Sequence, residues 1–97
     1  MTDVKPVGAL IHEVLRRAAR EYRPLFAIQR RWPRLVGKQL AAHTRPVSLR
    51  RGRLVVHVAR PGASFALNYA RPKLLKRLQA AKQGGVEEIV IRAGSVS

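Results

Sequence analysis

Apolar residues at Leu10, Ile11, Val14, Leu15, Ala18 and Ala19 fall at the spacing that lays one stripe along an α-helix. The pattern predicts a helix over residues 7–21, with Arg16, Arg17 and Arg20 off the stripe and Glu13 one turn before Arg17, a favourable i,i+4 pairing. Pro24 is expected to end it, and residues 24–31 read as at most one further turn leading in. Trp32-Pro33 then marks a new start, because a first helical position leaves unused the N–H that proline lacks. Leu35, Val36, Leu40 and Ala41 supply the inward face of this second helix. Gly37 falls inside it, at a cost of about 1 kcal/mol relative to alanine, which a close backbone approach would offset.

The period then changes from helical to alternating. Val47 and Leu49 alternate with Ser48 and Arg50, predicting a strand over 44–50. Leu54, Val56 and Val58 alternate with Val55, His57 and Ala59, predicting a second. Gly52 between them suits the left-handed position of a short hairpin loop, so the two strands are expected to pair antiparallel. Pro61-Gly62 ends the second strand and Ser64 is the expected N-cap of a helix to Ala70. Pro72 either kinks one long helix or starts a second; the second is favoured because proline fits a first helical position, with Leu74, Leu75 and Leu78 inward and Gly84-Gly85 stopping it. V-E-E-I-V-I-R (residues 86–92) closes as a short strand. The order is a helical N-terminal extension followed by α-β-β-α-α-β, an α+β domain with three strands packed on helices. The boundaries are a flexible 1–7, one domain over 8–94 and a frayed 95–97.

Ninety-seven residues make one domain. Aromatics are 5% of the chain, so leucine, valine, isoleucine and alanine must build most of the core. Charge changes the picture more than size does. Twenty Lys+Arg stand against five Asp+Glu, a net +15. Folding needs no such excess, and the resulting field attracts polyanions. That balance points first to nucleic acid and second to an anionic membrane surface. The N-terminal stripe lacks the interfacial Trp or Phe of a membrane-surface helix, and no apolar run approaches the ~18 residues of a membrane span. There is no cysteine, which excludes disulfides and thiolate metal sites.

The sequence holds no recognisable catalytic constellation. Glu87 and Glu88 are neighbours in a predicted strand, so they point to opposite faces. His12, His43 and His57 lack metal-ligand spacing. Ser48 and Ser64 lack a nucleophile-elbow context, and no phosphate-binding glycine loop is present. The expectation is a non-enzymatic protein with no cofactor, no metal and no small-molecule substrate. His43 reads first as a helix C-terminal cap favoured by the dipole and second as a phosphate or base contact. Trp32 reads first as a core anchor and second as a base-stacking platform. Phe65 and Tyr69, one turn apart, are expected to pack into the core with the tyrosine hydroxyl at its rim.

The basic residues cluster. Arg45, Arg50, Arg51, Arg53 and Arg60 belong to the hairpin and its flanks. Lys73 and Lys76, with Arg71 and Arg77, accompany the later helix. Arg16, Arg17 and Arg20 crowd the N-terminal third with Arg23, Arg30, Arg31 and Arg34. Phosphate contact by such residues gives affinity without sequence choice, and no base-reading motif accompanies them.

The segment W-P-R-L-V-G-K-Q-L-A-A-H-T-R-P-V-S-L-R-R-G-R-L-V-V-H-V, residues 32–58, resembles the DciA family of bacterial replication proteins. Trp32, Pro33, Val36, Gly37, His43, Thr44, Pro46, Leu49, Gly52 and Leu54 match its signature. So do L-L-K-R-L (74–78) and E-E-I-V-I-R-A-G (87–94), and the resemblance extends over residues 8–94. It implies a KH-like domain of the order α-β-β-α-α-β. It also implies a cytoplasmic, nucleoid-associated protein that assists loading of the hexameric DnaB-type replicative helicase and binds single-stranded or forked DNA. Arg16, Arg17, Arg20, Arg45, Arg50, Arg51, Arg53, Arg60, Lys73 and Lys76 are the candidate DNA contacts. Two departures stand out. N-Y-A-R-P (68–72) replaces the G-x-x-G by which a KH domain clamps a single strand. Phe65 stands where the family usually has tryptophan. The long flexible extension of many members would leave any contact it makes missing or relocated here. An RNA-binding KH-like module and a protein-interaction adaptor are the alternative readings.

Overall fold

The computed structural model describes residues 7–82 and 84–96. Within the first helix it describes the side chains of residues 13–16 and of those from residue 23 onward. The elements are α1 (Val7–Val36), α2 (Lys38–Ala41), β1 (Thr44–Arg50), β2 (Arg53–Val58), α3 (Pro61–Ala80) and β3 (Glu88–Ala93). The result is α+β, with a three-stranded mixed sheet packed on helices.

The expected break at Pro24 and start at Trp32-Pro33 do not occur, and α1 runs through both prolines. Leu25, Ile28 and Trp32 are buried, with Leu35 and Val36 packed beside them. They carry one unbroken stripe, each side chain worth roughly 1.5–3 kcal/mol when fully buried. That burial offsets the ~3 kcal/mol an interior proline costs. Toward the other end, Val14 and Leu15 are exposed, so the expected N-terminal stripe is not seated against the body there. The remaining residues of that stripe, and the expectations for residues 1–6 and 97, lie outside the described set.

Gly37 is not inside a helix but between two. Its φ of 91° and ψ of 152° lie in a region that only glycine adopts readily, and a Cβ there would meet nothing within 4 Å. Backbone conformation, rather than the expected close approach, is therefore what calls for glycine. The reversal lets Thr44 meet α1. The Trp32 Nε1–H donates to Thr44 Oγ1 at 2.8 Å, and that hydroxyl donates to the Leu40 carbonyl, also at 2.8 Å. Trp32 is 3% exposed, the anchor of the expected pair of readings.

β1 and β2 pair antiparallel, while β2 and β3 pair parallel in the order β1-β2-β3. Arg51 and Gly52 both have positive φ (51° and 80°), the sign pattern of a two-residue type I′ turn. The Gly52 carbonyl then accepts the backbone N–H groups of Glu87 (2.7 Å) and Glu88 (3.0 Å), which fixes where β3 begins. β1 is interrupted. Pro46 lies opposite Val56, but Ser48 lies opposite Val55, so Val47 is the extra residue of a β-bulge. The expected alternation of Val47 with Leu49 therefore fails. Thr44, Pro46 and Leu49 share the inner face with Leu54, Val56 and Val58. Pro46 sits on an edge strand beside the bulge, where proline is tolerated, and its carbonyl accepts from Gln29 Nε2 at 2.7 Å.

A parallel pair needs a crossover, and α3 supplies it as one helix. It does not stop near Ala70 and restart at Pro72, so the expected α-α pair is a single element and the observed order differs from α-β-β-α-α-β. Ser64 is not the N-cap; Arg60 is, with Pro61 in the first helical position. Ala63, Leu67, Leu74 and Leu78 are buried against the sheet, a stripe that spans Pro72. Phe65 and Tyr69 do not join the core. They sit on the opposite side of α3, 79% and 87% exposed.

Thr44→Val removes the acceptor for the buried Trp32 N–H at nearly constant volume. It should lower unfolding stability by ~1–3 kcal/mol, the cost of one unsatisfied buried donor, whereas Thr44→Ser should cost less. Urea unfolding of the two variants measures the difference.

Candidate nucleic-acid interface

Helices cover one face of the sheet, and the other face carries the candidate site. In a regular strand, residues five apart point to opposite faces. The extra residue at Val47 changes that parity, so Arg45 and Arg50 both point outward, opposite His57 and Arg53 respectively. Arg53 lies beside Glu88, and His57 beside Arg92, in the parallel register. Arg51 stands at the hairpin tip. Five arginines thus occupy one face and its rim. Arg50, Arg51, Arg53 and Arg92 border a shallow depression of about 920 Å³ lined also by Ser48, Leu49, Val55 and Glu88, while Arg45 lies at the other end of β1.

Negative charge on this face is small. Arg53 Nε donates to Glu88 Oε1 at 2.6 Å, the one ion pair among the described residues, with both side chains more than half exposed. An exposed pair of this kind adds little stability. What it does is hold the Arg53 guanidinium in place along the strand. His57 Nδ1 lies 3.3 Å from the Ser95 carbonyl. A Cβ on Gly94 would come within 2.5 Å of the same ring atom, so the chain after β3 passes closely over His57. The half-exposed histidine therefore supports that segment.

The other expected contacts are placed elsewhere. Arg60 caps α3, beside a second depression that includes His43, Lys38 and Gly37. His43 donates its backbone N–H to the Leu40 carbonyl at 3.1 Å, closing the end of α2. Lys73 and Lys76 are exposed on α3, on the far side of the helix layer from the sheet's open face. Arg16 is exposed on α1, while the Arg17 and Arg20 side chains lie outside the described set. Arg77 has a structural task, its Nη1–H donating to the Leu35 carbonyl at 3.2 Å and so satisfying the end of α1.

Of the expected contacts, then, Arg45, Arg50, Arg51 and Arg53 come together; the rest do not join them. Arg92 joins the group although sequence reasoning missed it. The signal was present in the alternation of Glu88, Val90 and Arg92 against Ile89 and Ile91. Among the described residues no cluster of His, Asp or Glu could hold a metal, and no helix is long and apolar enough to cross a membrane.

The family model described as "Dna[CI] antecedent, DciA" matches residues 6–91. No curated protein matches the chain.

Glu88→Gln removes the acid from the face and leaves Arg53 uncompensated. Elution from a heparin column should move to higher salt, while unfolding stability stays within ~1 kcal/mol of the parent. Unchanged elution would mean that Arg53 does not contribute to polyanion binding.

Proposed function

Because the chain belongs to the DciA family, we propose that it is a DNA-binding accessory protein whose sheet face holds DNA while the replicative helicase hexamer is loaded. A role in loading the DnaB-type helicase follows from family membership itself. The DNA contact and its location are our reading. The observation that carries it is the shared outward face of Arg45, Arg50, Arg53 and Arg92, on which the bulge at Val47 puts Arg45 and Arg50 together and the regular β2–β3 register adds Arg53 and Arg92. Guanidinium groups fanned over an open sheet suit phosphate oxygens along a backbone. No base-reading motif accompanies these arginines, and phosphate contact alone gives affinity without sequence choice, so the binding is read as sequence-nonspecific.

A KH-like fold belongs to the same proposal. The shared frame is the three-stranded sheet with helices on one face. The departure is α3, whose continuity leaves no junction between paired helices for a G-x-x-G clamp. The open face would do that work instead. Arg51 adds charge at the rim. Arg16 and Arg60 extend the reach at the periphery, and Arg17 and Arg20 enter by sequence position alone. The protein would act in the cytoplasm, at the nucleoid.

Two measurements test this reading. The protein should stimulate loading of its replicative helicase onto a circular single strand. Absence of both stimulation and a helicase complex would overturn the loading role. The triple variant Arg45→Ala/Arg50→Ala/Arg53→Ala should weaken single-strand binding. It should also reduce the slope of log K against log salt by roughly 2, at about 0.7 for each phosphate no longer neutralised. An unchanged slope would remove the sheet face from the account.

A further inference from the structure

The outer side of α3 carries two large aromatic rings that the fold does not use. Phe65 is 79% and Tyr69 87% exposed, and they lie one helical turn, ~6 Å, apart. A scattered exposed leucine needs no explanation, but an uncovered pair of aromatic rings does. Helical spacing puts Lys73 one turn beyond Tyr69 and Lys76 on the same side; both are exposed. No Asp or Glu occurs anywhere in α3, Pro61–Ala80. The stripe therefore alternates flat apolar surface with positive charge, and nothing on its own helix opposes an anion.

Two occupants compete for such a stripe. A protein partner would favour a continuous apolar patch, and lysine is depleted in protein–protein interfaces. Here the positions flanking the rings are Pro61, Gly62, Asn68 and Pro72, which supply no large aliphatic side chain. The rings stand as separate platforms with ammonium groups beside them. Single-stranded nucleic acid has the matching chemistry, since bases stack on aromatic rings and phosphates pair with the adjacent cations.

We infer that the outward stripe of α3, Phe65, Tyr69, Lys73 and Lys76, is a second nucleic-acid surface that captures unpaired bases by stacking. This rests on the DNA-binding reading above and deepens it. The sheet face meets phosphates of either strand form. The α3 stripe, on the other side of the domain, selects single strand, because bases in a duplex are already stacked on one another. One domain would then engage both arms of a junction between duplex and single strand.

The test compares the parent with Phe65→Leu/Tyr69→Leu, binding an oligo-dT strand and a duplex of equal length at one salt concentration. Both side chains are exposed, so the thermal melt should be preserved and serves as the folding control. Affinity for oligo-dT should fall at least ~10-fold, since stacking contributes ~1–3 kcal/mol per base, while duplex affinity changes by less than about 2-fold. Independently, Phe65→Trp should show tryptophan emission quenched by oligo-dT, with the buried Trp32 of the parent unquenched. Unchanged oligo-dT affinity, or an equal loss on duplex, overturns the stacking surface. So does a double variant that keeps DNA affinity but loses the helicase complex, which would make the stripe a protein-docking face. Failure of the parent to bind either nucleic acid would instead overturn the DNA-binding reading beneath it.

Discussion

Strand β1 has to satisfy two demands that a regular strand cannot meet together. At its start, Thr44 must face the helices, because its hydroxyl receives the buried Trp32 N–H and passes the bond on to Leu40. Near its end, Leu49 must face the same way, opposite the fully buried Leu54. The two are five positions apart, an odd step, so strict alternation would turn one of them to solvent. The bulge at Val47 resolves the conflict by adding one residue to β1 and none to β2. Pro46, which cannot donate to a ladder, sits beside that irregularity on an edge strand.

The same change of parity acts on the other face. Whatever brings Thr44 and Leu49 inward brings Arg45 and Arg50 outward, so the arginine surface is a consequence of core packing. The type I′ turn at Arg51-Gly52 carries the hairpin over without splaying it, and the Gly52 carbonyl registers β3 so that Arg92 arrives on the same side. Continuous α3 performs the parallel crossover and seals the inner face with Leu67, Leu74 and Leu78. Charge and core are thus segregated by geometry. Removing the acids from most of the surface then costs the fold little, because among the described residues the one ion pair is exposed.

Much of this was legible in the chain. The span of β1 was legible although its alternation was not, β2 followed from alternation, the turn from Gly52, and the family from the Trp32–Leu54 spacing, because each is a local signal. The helices were misread where a local rule lost to tertiary burial. Pro33 and Pro72 each look like a boundary, yet each lies inside a stripe whose packing outweighs one missing backbone bond, and α1 also runs through Pro24, just before its first buried residue, Leu25. Cutting α3 at Pro72 also hid its phase. Once Leu67 and Leu74 are seen on one continuous helix, Phe65 and Tyr69 must fall on the other side. The clustering of arginines was legible, but their shared face was not, because parity through β1 depends on a bulge that no residue type announces by itself.

The central claim is that DNA lies across the open face of the sheet. Titration of the isotopically labelled protein with a short single strand, followed by NMR, tests it most directly. The account predicts that signals of Arg45, Arg50, Arg53 and Arg92, which are distant in sequence and adjacent on the sheet, move together with one affinity. Arg77, committed to the end of α1, should stay in place. Shifts confined to the helices, with the four sheet arginines unmoved at saturation, would contradict it.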